Sequence, residues 1–148
     1  MTTVLHWDMN HVAGENTNFR KVLWTGEHQQ LAVMTIPPGG EVGMEVHEHY
    51  DQVVSIVSGS GRAFVDDRDR LVGAGDVVAV PATMKHNFVN VSPNPLTFFT
   101  VYGPPRHAIG IVHETKRDSD YDDQHRLDRP PAKTGEKFDP RVEDEERR

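Results

Sequence analysis

Between residues 20 and 102, turn-forming residues interrupt this chain so often that nothing longer than a short strand fits between them. The interruptions are Pro37-Pro38-Gly39-Gly40, Ser58-Gly59-Ser60-Gly61, Asp66-Asp67-Arg68-Asp69, Gly73-Ala74-Gly75-Asp76 and Ser92-Pro93-Asn94-Pro95. Glycine supplies positive φ, proline fixes φ, and Asp, Asn and Ser close turns through their side chains. Between them lie β-branched and aromatic runs at 20–25, 30–36, 42–48, 52–58, 62–66, 70–72, 77–80, 87–91 and 96–102. No stretch of this region keeps a 3.6-residue apolar period through a full helix. The chain reads as all-β, a sandwich or a barrel.

The flanks differ. Residues 8–19 read as a turn-rich lead-in, and Pro104-Pro105 stops the last strand because proline cannot donate to a ladder. The length of 148 residues suits one domain, placed at 1–117, with a charged extension at 118–148. That extension holds eleven Asp or Glu and seven Lys or Arg. So little apolar area cannot offset the entropy of ordering, so the extension is expected to be mobile, or ordered only by packing on the barrel or a neighbour. The closing run Glu143-Asp144-Glu145-Glu146-Arg147-Arg148 reads as solvated charge.

Composition excludes several functions. There is no Cys, which removes disulfides, thiolate zinc sites and cysteine nucleophiles, and leaves His, carboxylate and amide oxygen as metal ligands. A net charge of -7 argues against nucleic-acid binding, which needs clustered cations. No apolar run approaches bilayer length and the first residues lack a signal-like pattern, so no membrane association and a cytoplasmic location are expected.

Three histidines carry the chemistry. His47 and His49 are two apart, so on an extended strand both imidazoles point to one side of the sheet. His86, far along the chain, can converge on them only if the sheet closes or folds over itself. Three imidazoles at one point make a metal site.

With these residues the sequence resembles the cupin superfamily, whose first motif is Gly, five residues, His-x-His, three or four residues, Glu, six residues, Gly. Here Gly40 precedes His47 by six intervening residues, His49 follows, and Gly59 closes the motif. Counting back six residues from Gly59 lands on Gln52, with only Tyr50 and Asp51 separating it from His49, one residue short of the pattern. The second motif, Gly, five residues, Pro-x-Gly, two residues, His, three residues, Asn, is matched by Gly75, Pro81, His86 and Asn90, with Thr83 in place of Gly. Downstream, Tyr102-Gly103-Pro104-Pro105-Arg106-His107 and Gly110-Ile111-Val112-His113-Glu114-Thr115-Lys116 look like the end of small single-domain cupins labelled mannose-6-phosphate-isomerase-like.

The resemblance implies a double-stranded β-helix, or jelly-roll barrel, holding a divalent metal (Fe, Mn, Ni or Zn) on His47, His49, His86 and Gln52. An amide at Gln52 contributes no charge, so the metal would keep more of its own and act as a stronger Lewis acid. Parity offers Asp51 as the alternative, since it shares a face with His49 on a regular strand. Catalytic candidates are Glu45, which shares parity with His47 and could be a general base, Tyr102 on the last strand beside Phe98, and His107 near the barrel mouth, with His113 in a similar position. Tyr50, of opposite parity to His47, is expected on the outer surface, and His6, His11, His28 and His125 on the surface or in turns.

Three functions fit: a metal-dependent enzyme on a small oxygenated substrate (oxygenase, isomerase, cyclase or lyase), a non-catalytic small-molecule binder, or a structural protein with a vestigial pocket. The resemblance also implies a homodimer, with which the outward Val53 and Val57 are consistent.

Overall fold

The punctuation read from the sequence yields nine strands among the described residues, 5–131, of the computed structural model. They are β1 (Arg20–Thr25), β2 (Gln30–Ile36), β3 (Asp51–Ser58), β4 (Ser60–Val65), β5 (Arg68–Gly73), β6 (Val77–Val80), β7 (His86–Val89), β8 (Leu96–Gly103) and β9 (Val112–His113). Six form one sheet in the order β6-β3-β8-β2-β1-β9, and three form a second, β5-β4-β7. All the pairings are antiparallel. This is the expected double-stranded β-helix, a barrel of two facing sheets.

The core lies between the sheets. Met34, Ile36, Val54, Ile56 and Phe98 from the larger sheet meet Ala63, Val72 and Phe88 from the smaller one. The alternation of β3, with Gln52, Val54 and Ile56 buried and Asp51 and Val53 exposed, is that of a strand with one wet face. Strand β2 is buried on both faces, because the helix α1 (Met9–Glu15) packs against it from outside.

Two turns show how local chemistry sets the register. The β4–β5 hairpin turns on Asp66 and Asp67 alone, with Asp66 at φ 57, so β5 begins earlier than the sequence suggests. Gly59 sits at φ 81, and a Cβ there would collide with the Pro95 carbonyl oxygen, so the β3–β4 turn excludes any other residue.

The structure differs from the sequence reading in three places. Residues 8–19 are not wholly turn: the Asp8 carboxylate accepts from the Asn10 and His11 amides and caps the seven-residue α1. Residues 42–48 form no continuous strand, only isolated bridges of Glu41 to Val89 and Glu45 to His86, because Gly43 at φ 107 breaks the extended run. The start of the charged extension is ordered: Thr115 caps α2 (Lys116–Gln124) with a capping box, and the helix carries no buried residue of its own. Residues 132–148, including the run from Glu143 to Arg148, lie outside the described residues. No described helix is long and apolar enough to cross a membrane.

Candidate metal centre

The Glu45–His86 bridge builds the site. The two residues exchange both backbone hydrogen bonds, each at 2.9 Å, so their side chains stand on the same face of the ladder. His47, two residues on from Glu45, returns to that face. One ligand-type atom from each of Glu45, His47 and His86 lies within 4.8 Å of the other two. Glu45 Oε2 is 3.0 Å from His47 Nε2, and the two imidazole centroids are 4.8 Å apart.

Each imidazole has one nitrogen engaged away from the cluster. His86 Nδ1 donates to the Met84 carbonyl at 2.9 Å, which fixes the tautomer and leaves Nε2 bare. His47 Nδ1 lies 2.9 Å from the Tyr50 hydroxyl, so Nε2 is again the nitrogen facing Glu45. Engaging the far nitrogen in this way is how proteins orient metal-binding histidines.

Electrostatics favour a neutral His86 and a charged Glu45. Burial lowers the His86 pKa from its ordinary value. For Glu45, burial pushes the carboxyl up, but the hydrogen bond and charge of His47 and the charges of Arg20 and Arg106 outweigh it, and the pKa falls. Burial drives the Tyr50 hydroxyl up to about 12 and raises Tyr102 as well, so both phenols are neutral donors.

Of the residues singled out from sequence, Glu45, His47 and His86 come together and His49 does not. The chain bends at Glu48 and His49, so the same-side rule for a strand stops applying, and the His49 side chain is 78% exposed. The same bend turns Tyr50 inward against His47, with ring centroids 4.6 Å apart, whereas strand parity had put it on the outer surface. Gln52 is buried opposite Tyr102 and Val80, its amide donates to Thr100 Oγ1 at 3.0 Å, and its Oε1 has no partner among the described residues. Asp51 is exposed and accepts from the Ala82 amide at 2.8 Å. Tyr102 is buried edge-on to His107 at 5.0 Å. His107 itself is locked to Asp128, Nδ1 to Oδ2 at 2.6 Å, and burial lowers its pKa to about 3.

The donor set suits a divalent cation. One carboxylate and two imidazoles with their far nitrogens engaged are oxygen and nitrogen ligands of intermediate softness.

Sequence reasoning missed Arg20, Arg106 and Asp128. The signal for Arg20 was available: it shares parity with Val22 on β1 and therefore faces inward, where it is buried. The signal for Glu45 was also present. Starting the first motif at Gly39 instead of Gly40 gives five residues, Glu45-x-His47, four residues, Gln52, six residues and Gly59, with nothing missing.

Comparison with known proteins agrees with the geometry. A family model described as a cupin domain matches residues 32–102. Over 118 residues the chain is 36% identical to YrkC of Bacillus subtilis (strain 168), covering 76% of this chain and 63% of that one. Over 102 residues it is 30% identical to L612 of Acanthamoeba polyphaga mimivirus, covering 66% and 64%. The chain thus spans less than two thirds of either relative. The crystal structure of BH2720 from Bacillus halodurans superposes with a TM-score of 0.77 at 32% identity, covering 79% of this chain and 93% of that one.

Proposed function

Because this chain belongs to the cupin superfamily, we propose that it binds a divalent metal through Glu45, His47, His86 and the Gln52 amide oxygen, and acts on a small oxygenated organic substrate. One observation carries the reading: the three ligand-type atoms within 4.8 Å, on imidazoles whose other nitrogens are engaged elsewhere. Fe, Mn, Ni and Zn all suit such ligands. When bound, the metal supplies Lewis-acid polarisation of a substrate oxygen, made stronger by having a single charged ligand.

The chain's own groups position and shield the substrate. Tyr50 and Tyr102, neutral at physiological pH, offer hydrogen-bond donors at the wall of the site. Their rings and the buried His107 exclude water from that side. Glu45, the sequence candidate for a general base, is spent as a ligand, and His107 is committed to Asp128. The shortage of a free base is the observation that favours the second reading, a non-catalytic binder whose metal orients its ligand.

A panel of small hydroxy, keto and enolisable compounds, offered to chelator-stripped and metal-reconstituted protein, separates the two. The enzyme reading expects turnover that depends on the metal. Loss of turnover under nitrogen identifies an oxygenase, and persistence identifies an isomerase, cyclase or lyase. Binding of a panel member without conversion of any supports the second reading.

Within the superfamily we group the chain with the small mannose-6-phosphate-isomerase-like cupins, on residues 102–107 and 110–116. That grouping implies no sugar-isomerase activity. We also propose a cytoplasmic homodimer, supported by the exposed apolar Val53 and Val77 on neighbouring strands of the larger sheet. A monomer by light scattering contradicts the dimer.

A further inference from the structure

Beyond the metal cluster, two guanidiniums each keep a buried Nε without an acceptor among the described residues. Arg20 is 3% exposed, its Nη1 is spent on His113 Nδ1 at 3.1 Å and Ser119 Oγ at 2.7 Å, and the side chain also bonds Tyr102, yet its Nε has no partner among the described residues. Arg106, 18% exposed, also has a buried Nε without a partner among the described residues. Among the described residues its Nη2 reaches only Asp123 Oδ1, at 3.4 Å, and that carboxylate is more than half exposed. A charge-assisted N–H···O bond is ordinarily about 2.7–2.9 Å, so Asp123 does not saturate this guanidinium. Buried donors without acceptors are costly, and because none of the described residues supplies one here, an acceptor has to come from beyond them.

Both guanidiniums stand at the cluster. Arg106 lies over the Tyr50 ring, 5.6 Å from its centroid, and the same Tyr50 hydroxyl contacts His47 Nδ1. Arg20 and Arg106 are both electrostatic neighbours of Tyr102 and His107. The nearby acids are accounted for. Asp128 serves His107 and the Ala108 amide, Asp122 serves His113, and Glu45 faces His47. The nearby acids answer the two guanidiniums in charge but leave Arg106 Nε without an acceptor among the described residues, and a bound divalent metal would add positive charge beside it.

We propose that the site takes a small ligand bearing a carboxylate, held by the Arg106 guanidinium beside Glu45, His47 and His86. A carboxylate answers this deficit where a neutral oxygen does not. It brings a charge and two acceptor oxygens, and the planar guanidinium edge takes both at once. The ligand is small because His47, Gln52, His86 and Tyr102 are each less than a tenth exposed. The inference deepens the metal reading, resting on it only for which groups the rest of the ligand faces.

Calorimetric titration of the full chain with malonate, and with malonamide as its uncharged counterpart, tests it. Each is run on metal-loaded and chelator-treated protein, with metal content measured separately. Wild type is expected to bind malonate in preference to malonamide. Arg106→Gln should weaken malonate binding about tenfold or more in both forms without changing metal content, and Arg106→Lys, which keeps the charge but not the fork, should fall between. Equal binding of malonate and malonamide, no malonate binding by wild type, or unchanged affinity in Arg106→Gln overturns the proposal. Should Arg106→Gln not fold, wild-type affinity in Arg106→Lys overturns it. Arg106-dependent malonate binding in a protein that takes up no metal sinks the metal reading and leaves this one standing.

Discussion

Tyr50 and the Met84 carbonyl decide which nitrogens the two clustered histidines present. Each occupies an Nδ1 at 2.9 Å, so both rings turn their Nε2 atoms to a common point. Such outer partners are worth about 10- to 100-fold in metal affinity. Tyr50→Phe should therefore weaken metal binding by about that factor while leaving the fold intact, as read by competition with a chromophoric chelator. Unchanged affinity would show that His47 is oriented by something else. Gln52→Glu adds a charged oxygen where the amide oxygen has no partner among the described residues, and, with Gln52 as a ligand as proposed, should tighten metal binding by about tenfold or more. At this scale the sequence was legible for His47 and His86, and much less so for Glu45 as a member of the cluster. A carboxylate in the place of a motif histidine is visible only if the spacing is counted from Gly39, and the pull of a literal His-x-His hides that frame. Where His49 would point was not legible, because two-residue parity holds on a strand and the chain bends at that residue.

Among the elements, β9 and the segment that follows it clasp the barrel through buried polar pairs. His113 on β9 pairs with Arg20 across the sheet and with Asp122 of α2, while His107 and Ala108 are tied to Asp128. Asp128→Ala leaves the Ala108 amide and the His107 ring without their partner, and should cost on the order of 3 kcal/mol by urea unfolding. A loss under about 0.5 kcal/mol, the range of ordinary surface changes, would mean the clasp contributes little. The same pair predicts a pH dependence. His107 is held neutral, its pKa lowered from 6.5 to about 3, and Asp128 is also lowered, so the unfolded chain binds more protons below pH 6.5. Stability present near neutrality is thus lost as pH falls from 6.5 toward 3, by up to about 1.4 kcal/mol per unit from His107. His107→Asn should flatten that slope in thermal melts, and an unaltered slope would assign it to other groups. Most strands were legible because Gly, Pro and Asp turns bound them. The helix α1 was not, since it is seven residues long with a glycine inside and rests on one Asp8 cap. The clasp was hidden because a charged segment reads as solvated unless its partners, here Arg20, Arg106, His107 and His113, are known to face it.

For the molecule as a whole, one barrel brings residue 86 of the smaller sheet together with residues 45 and 47 of the segment bridged to it and buries residue 52 on the larger sheet, and the fold was legible because both motifs fall in order along a strand-and-turn pattern. Two sheets facing each other give a buried polar site only if its polar atoms are matched, and the Gln52 oxygen and guanidinium nitrogens mark where the described residues leave them unmatched. The central claim is that Glu45, His47 and His86 hold a divalent metal. Elemental analysis of the protein purified without chelator, beside Glu45→Ala, His86→Ala and His49→Ala, addresses it most directly. The account predicts about one metal ion per chain in wild type and in His49→Ala, and a loss of metal in Glu45→Ala and His86→Ala that remain folded. Metal retained by Glu45→Ala but lost from His49→Ala would contradict it.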